Sequence, residues 1–177
     1  RPPQLTKKTA LSIQNLSCSN DRGLTAIDDL DLFVNTGEIL GIAGVDGNGQ
    51  KELAECIVGL RKITKGSISI DGIPVDSVVS DTSILGYVPE ERQRTGLFID
   101  FNVAENLVIK SIGSRKFSQK GVIKWDNVRK NALQLIAKYK IKVPNPNVFV
   151  SNLSGGNQQK VVLARELNAK PSILVCA

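Results

Sequence analysis

Alternating apolar and polar positions open the chain. Ala10-Leu11-Ser12-Ile13-Gln14-Asn15-Leu16 has the two-residue period of a half-buried strand. Ala26-Ile27-Asp28-Asp29-Leu30-Asp31-Leu32-Phe33-Val34 returns to that period at its end. Asn20-Asp21-Arg22-Gly23 lies between them as a turn and Asn35-Thr36-Gly37 follows as another, which predicts two antiparallel strands. The pattern then changes. Glu38-Ile39-Leu40-Gly41-Ile42-Ala43 is almost continuously apolar, as a central strand covered on both faces should be. Leu53, Ile57 and Leu60 recur at helical spacing, with Gly59 weakening the helix end. Gly66-Ser67-Ile68-Ser69-Ile70 alternates again, and Asp71-Gly72 turns it into Ile73-Pro74-Val75. Ile84-Leu85-Gly86-Tyr87-Val88-Pro89 reads as a short strand stopped by its proline, with Glu90 to Gly96 a charged loop.

The second half is helical. Asn102 with Glu105 three residues on is a capping box, opening a helix through Ile109. Residues 111–124 are basic and interrupted by glycine, which predicts a loop. Asp126 is placed to cap the next helix, whose apolar stripe is Val128, Ala132, Leu135, Ile136 and Tyr139. Pro144-Asn145-Pro146 closes that region. A last helix runs to about Asn168, and Ser172-Ile173-Leu174-Val175-Cys176-Ala177 reads as a buried strand.

Composition adjusts this picture in three ways. With 177 residues, 41% of them hydrophobic, the chain suits one domain or two lobes with a real core. No apolar run approaches a membrane span, and Arg1-Pro2-Pro3 does not begin a signal peptide. The absence of Met and the uncapped apolar run at the end lead us to expect a fragment of a larger polypeptide. Three scattered cysteines and no histidine argue against a disulfide frame or a zinc site, and for a reducing cytosol. The net charge of +6 is uneven: Lys110 to Lys142 holds ten Lys or Arg against one acid, Asp126. Such a block could meet nucleic acid, anionic lipid or an acidic partner; the plain alternative is a solvated helical face.

Two segments carry candidate chemistry. Gly44-Val45-Asp46-Gly47-Asn48-Gly49-Gln50-Lys51 lies between a predicted strand and a helix. Glycines at this spacing let backbone N–H groups converge on one point at a positive helix end, which is how a phosphate is held. The phosphate-loop pattern is G-x-x-x-x-G-K-(S/T). Gly44 and Gly49 fit it, while Gln50 stands at the lysine position and Lys51 at the hydroxyl position. Alone, such a loop also fits a turn that binds nothing. Near the other end, Leu153-Ser154-Gly155-Gly156-Asn157-Gln158-Gln159-Lys160 opens a helix with a serine, two glycines and amides, a second anion-binding surface.

That second string resembles the LSGGQ signature of ATP-binding cassette (ABC) proteins. With Val161 to Leu167 after it, it looks like the ATPase subunits of sugar and nucleoside importers. The resemblance covers nearly the whole chain in the family's order: two strands, phosphate loop, Gly86-Tyr87-Val88-Pro89-Glu90-Glu91-Arg92, helical lobe, signature, and a final strand at the Walker B place. It implies an α/β fold, a P-loop NTPase core with an antiparallel β subdomain and a helical insert, cut off at its C-terminal side. The expected layout is a linker over 1–9, β subdomain and first part of the phosphate-loop core over 10–100, helical subdomain over 101–150, and signature helix with truncated Walker B strand over 151–177. The loop sequences look like the second, C-terminal cassette of a nucleoside or simple-sugar importer.

The departures matter as much. Gln50 carries no charge, and Lys51 lies about 100° round the helix from it. No neighbouring Ser or Thr replaces the Mg²⁺ ligand the family uses. Glu90 matches the Q-loop glutamine, no aromatic stands between Arg22 and Leu24 to stack on adenine, and Ala177 falls where the Walker B aspartate would be. No metal ligand and no catalytic residue is therefore assigned. The expectation is ATP held weakly or not at all by Gly44 to Lys51, and Mg²⁺ only with a partner cassette's nucleotide. Leu153, Ser154, Gly155, Gly156, Asn157 and Gln158 are expected to serve that partner's ATP. The implied partners are that cassette, transmembrane permease subunits and, indirectly, an extracytoplasmic binding protein, at the cytoplasmic face of the membrane, with no nucleic acid. A soluble ABC ATPase acting on nucleic acid or ribosomes is the alternative.

Overall fold

The computed structural model describes residues 8–45, 47–78 and 84–177. Two compact units emerge, 1–85 with 172–177, and 86–171. The second unit starts before and ends after the stretch 101–150 read as helical. Val88 and Leu97 on one side, and Val161 and Val162 on the other, bury into the same core as that stretch.

The first unit is built on β1 (Thr9–Ser19) and β2 (Thr25–Asn35), antiparallel and eleven residues each. β3 (Lys65–Ile70) pairs with the other side of β1, and β4 (Ile73–Pro74) with β3, giving the order β2-β1-β3-β4. Ile13, Leu16, Ile68 and Ile70 are almost fully buried, as the alternation predicts. Asn15 breaks the period: it takes a left-handed φ of 49° where β1 shifts register. Helix α1 (Gln50–Ile57) buries Leu53, Ala54, Cys56 and Ile57. Leu60, expected on that face, is 67% exposed. The helix has already ended: Gly59 turns left-handed at φ 71°, and the Gly59 and Leu60 amides donate back to Cys56 O (3.1 Å) and Glu55 O (2.8 Å). This is the Schellman arrangement, which swings the next residue off the helix.

The apolar run before the loop also departs from expectation. Residues 38–45 form no strand, with Ile39 93% and Ile42 53% exposed. A strand is fixed by neighbours on its edges and faces, and among the described residues none pairs with this one. The final strand forms, as β8 (Ile173–Cys176), with the Ser172 and Ile173 amides both donating to Ile84 O; it is half exposed rather than buried. Val75, read as strand, opens a short helix α2 (Val75–Val78).

The second unit begins in β5 (Leu85–Val88). The expected charged loop is ordered as a π-helical turn, Arg92–Gly96. Helix α3 (Val103–Val108) carries the capping box in full: Asn102 Oδ1 accepts from the Glu105 amide at 2.9 Å, and Glu105 Oε2 from the Asn102 amide at 2.8 Å. The basic stretch contains a small hairpin, β6 (Ser118–Gln119) and β7 (Val122–Ile123), turned by Lys120 and Gly121 at positive φ. Asp126 is not the cap of α4 (Trp125–Lys138); that place is Lys124, and Asp126 sits in the first turn, where a carboxylate still favours the positive helix end. Val128, Ala132 and Leu135 are buried, with Ile136 and Tyr139 packed against the same core. Helix α5 (Gly155–Asn168) completes it. Glu166, 2% exposed, joins the layers: it accepts from Lys110 Nζ (2.6 Å), Arg165 Nε (2.8 Å) and the Tyr87 amide (3.1 Å).

Candidate functional site

In the first unit, the loop leading into α1 depends on glycine. Gly47 and Gly49 have φ of +84° and +92°. A Cβ on Gly49 would come 2.7 Å from the Ala26 carbonyl oxygen, so the backbone at this helix N-cap packs directly on β2. The helix starts there, with the Leu53 amide donating to Gly49 O at 2.8 Å.

Gln50 takes up the inside of the loop. Its side-chain amide stands where a Cβ on Gly44 would go, and its Nε2 donates to the Val45 carbonyl at 3.2 Å. The Asn48 amide donates to the same carbonyl at 3.3 Å. Two donors thus converge on the loop's own backbone. Lys51 turns away along the helix, its Nζ 4.0 Å from Glu55 Oε1. An exposed i,i+4 pair of this kind contributes only about 0.3–0.5 kcal/mol, so it shows direction more than strength. Val45 is exposed, and Asp46 lies outside the described residues.

Behind the loop, Arg61 clamps the end of α1 to the β1–β2 turn. It bonds Glu55 through Nε (2.8 Å), the Ser19 carbonyl through Nη1 (2.7 Å) and Asp21 through Nη2 (2.6 Å). Burial lowers the guanidinium's affinity for its proton, but Asp21 and Glu55 more than offset this and hold it above its ordinary value. Sequence reading passed over Arg61; its position two residues beyond Gly59 was the available sign. Leu24, in the turn where an aromatic was sought, is exposed.

In the second unit, Glu90 is exposed directly after the buried Pro89. The signature string forms the first turn of α5. Ser154 is the N-cap residue, exposed, its Oγ accepting from Asn157 Nδ2 at 3.0 Å. The Asn157 and Gln158 amides donate to Ser154 O, both at 2.9 Å. The Gly155 and Gly156 amides have no hydrogen-bond partner among the described residues, and Gly156 is exposed. Two unpartnered N–H groups, a hydroxyl and a helix N-terminus therefore lie together at this turn.

Gln158 does not belong to that set. It is 1% exposed; its Nε2 donates to the Val150 carbonyl (3.1 Å) and its Oε1 accepts from Gln93 (3.0 Å). Leu153 is half-buried against the core, and Asn157 Oδ1 accepts the Lys142 amide at 2.8 Å. These three hold the turn from behind. No group of three or more His, Cys, Asp or Glu able to hold a metal occurs among the described residues.

A family model described as ABC transporter matches residues 27–176. The chain belongs to the ABC transporter family. Among curated members of this family it is 38% identical over 170 residues to the guanosine import ATP-binding protein NupO of Bacillus subtilis, covering 94% of this chain and 33% of that one. It is 35% identical to the nucleoside import ATP-binding protein NupA of Lactococcus lactis, over 96% of this chain and 34% of that one. The ribose import ATP-binding protein RbsA of Clostridium perfringens is 37% identical, over 94% and 32%. The chain thus spans about a third of the length of these curated ABC relatives. Among solved structures, a bacterial Atm1-family ABC exporter with ATP bound superposes with a TM-score of 0.71 at 23% identity, over 99% of this chain and 30% of that one. The cbiO1 protein of Clostridium perfringens gives 0.70 at 18%, over 96% and 65%. The fold is the α/β ABC cassette, with its antiparallel β subdomain and helices.

Proposed function

We propose that the chain is an ATP-binding cassette of an importer for nucleosides or simple sugars, the second of two in its polypeptide. Its own nucleotide pocket is impaired, and its signature turn closes over ATP held by a partner cassette. The names of the relatives, guanosine, nucleoside and ribose import proteins, support the solute class. On this reading the cassette works at the cytoplasmic face of the membrane with permease subunits, and an extracytoplasmic binding protein chooses the solute. No helix among the described residues is long and apolar enough to cross a membrane.

The observation that carries the asymmetry is Gln50. ABC ATPases bind ATP with Mg²⁺, using a lysine charge on the β- and γ-phosphates and the next hydroxyl on the metal. Here an uncharged amide fills the loop and bonds Val45 O, and the following residue is a lysine directed at Glu55. A phosphate entering the loop must displace that amide and gains no charge in return. Lys51 stands where the metal's hydroxyl ligand is needed, so this half does not fit its own Mg-ATP. The signature turn is arranged the other way: the Gly155 and Gly156 amides beside Ser154 have no hydrogen-bond partner among the described residues. In that role Ser154, Gly155 and Gly156 meet the terminal phosphate, and Mg²⁺ arrives with the partner's nucleotide.

Titration calorimetry with Mg-ATP tests this reading. The double variant Gln50→Lys, Lys51→Ser restores both missing groups. It is expected to bind at least about tenfold more tightly than the natural chain, the scale of a charged hydrogen bond. Equal affinity in the two proteins, or rapid hydrolysis by the natural chain alone, overturns it.

A further inference from the structure

Arg92 lies against the signature turn. A Cβ on Gly155 would meet Arg92 Nη2 at 2.5 Å and Cζ at 3.4 Å, so the guanidinium occupies the place that glycine leaves open. Its Nε is sealed from solvent and has no hydrogen-bond partner among the described residues. Arg92 forms no ion pair among the described residues, whereas its neighbour Arg94 pairs with Glu91 at 3.7 Å. The side chain is half-buried, and among its nitrogens only Nε is both sealed and unpartnered.

This arrangement is electrostatically incomplete. The N-terminus of α5 carries about half a positive charge, and two of its amides, Gly155 and Gly156, have no partner. A guanidinium set beside it adds like charge. Such a cation is ordinarily drawn to a carboxylate; here the π-helical turn Arg92–Gly96 holds it in place instead. That turn is itself fixed to the signature from below, through Gln93 Nε2 to Gln158 Oε1 at 3.0 Å and Gln158 Nε2 to Val150 O at 3.1 Å. One anion at this point would satisfy the helix end and the arginine together. A guanidinium edge with two adjacent backbone amides matches the oxygens of a phosphoryl group.

We propose that Arg92 is a phosphate-contacting residue of the signature site, its Nη edge gripping the same phosphoryl group as the Gly155 and Gly156 amides. The identity of that group as a partner's terminal phosphate rests on the function proposed above; the anion site itself does not. It also gives Gly155 a second reason to be glycine: any side chain there would evict the arginine.

Inorganic phosphate titrated into the natural chain, followed by ¹H–¹⁵N NMR, tests the proposal. The Gly155 and Gly156 amides and the Arg92 Nε–H signal are expected to shift together along one binding curve. Arg92→Gln is expected to weaken that binding at least about tenfold, the scale for removing one charged hydrogen-bonding partner, and Arg92→Lys to restore part of it. The remaining amide positions report whether each variant keeps its fold. Absence of shifts at the signature amides, or shifts that Arg92→Gln leaves unchanged, overturns the proposal. If phosphate binds through Arg92 but full-length protein never brings two cassettes together around ATP, the functional reading fails and this one stands.

Discussion

Cys56 illustrates how far a residue's chemistry depends on what surrounds it. In the sequence it is one of three scattered cysteines; in the structure it is fully buried on α1, and Cys18 is buried too. Burial, with Cys18 beside it adding to the effect, pushes the Cys56 thiol from 9.0 up to about 12. The unfolded thiol loses its proton near pH 9 while the folded one keeps it. The folded state then binds more protons, so the contribution to stability is complete below pH 9 and is lost as pH rises from about 9 to about 12. Alkylation with iodoacetamide at pH 8.5, read by mass spectrometry, is expected to modify Cys176, which is exposed, and to spare Cys18 and Cys56 until denaturant is added. Early modification of Cys56 would show that α1 does not pack as described. Gln50 makes the same point for the site. The sequence shows that a charge is missing, but the inward fold of its amide onto Val45 O is a matter of rotamer and loop shape, which no residue pattern encodes.

At the level of elements, what was legible is what the chain specifies locally. Asn102 and Glu105 form their capping box within four residues, so their spacing sufficed to place the start of α3. The alternation of β1 and β3 marked the buried face correctly because both strands have one face on the core. Where the outcome depended on a partner, the pattern failed. The π-helical turn at Arg92–Gly96 is held by Gln158 and by Arg165 Nη2, which donates to Gly96 O at 2.8 Å from 69 residues away. Gly66 lies between these cases. It is the second residue of β3, at φ +86°, and a Cβ there would collide with the carbonyl oxygens of Gln14 and Asn15, where β1 shifts register. Neither backbone can yield without breaking the ladder. Gly66→Ala is therefore expected to destabilise the first unit by about 1–3 kcal/mol, as overpacking does, measured as a loss of hydrogen-exchange protection in β1 and β3. Unchanged protection would mean that the register shift relaxes freely.

The largest gap between pattern and structure belongs to the molecule as a whole. Ile39, Leu40 and Ile42 read as the most buried strand of the chain, and they are 93, 41 and 53% exposed. Their apolar character specifies cover on two faces, and cover is a property of neighbours. An uncovered apolar segment of this kind is an adhesive surface, since soluble chains seldom leave one contiguous and bare. The net charge of +6 opposes association, but its excess sits between Lys110 and Lys142, away in sequence from the segment and in the other unit. At physiological salt charge repulsion is further weakened by screening. Sedimentation velocity in such salt is expected to show concentration-dependent self-association of the natural chain. Ile39→Lys with Ile42→Lys is expected to reduce it without loss of helix or strand signal, because neither side chain packs on the cores of the two units. Monomeric behaviour of the natural chain at all concentrations would mean that the segment finds cover within its own molecule, and the strand reading would then be the better description of residues 38–43.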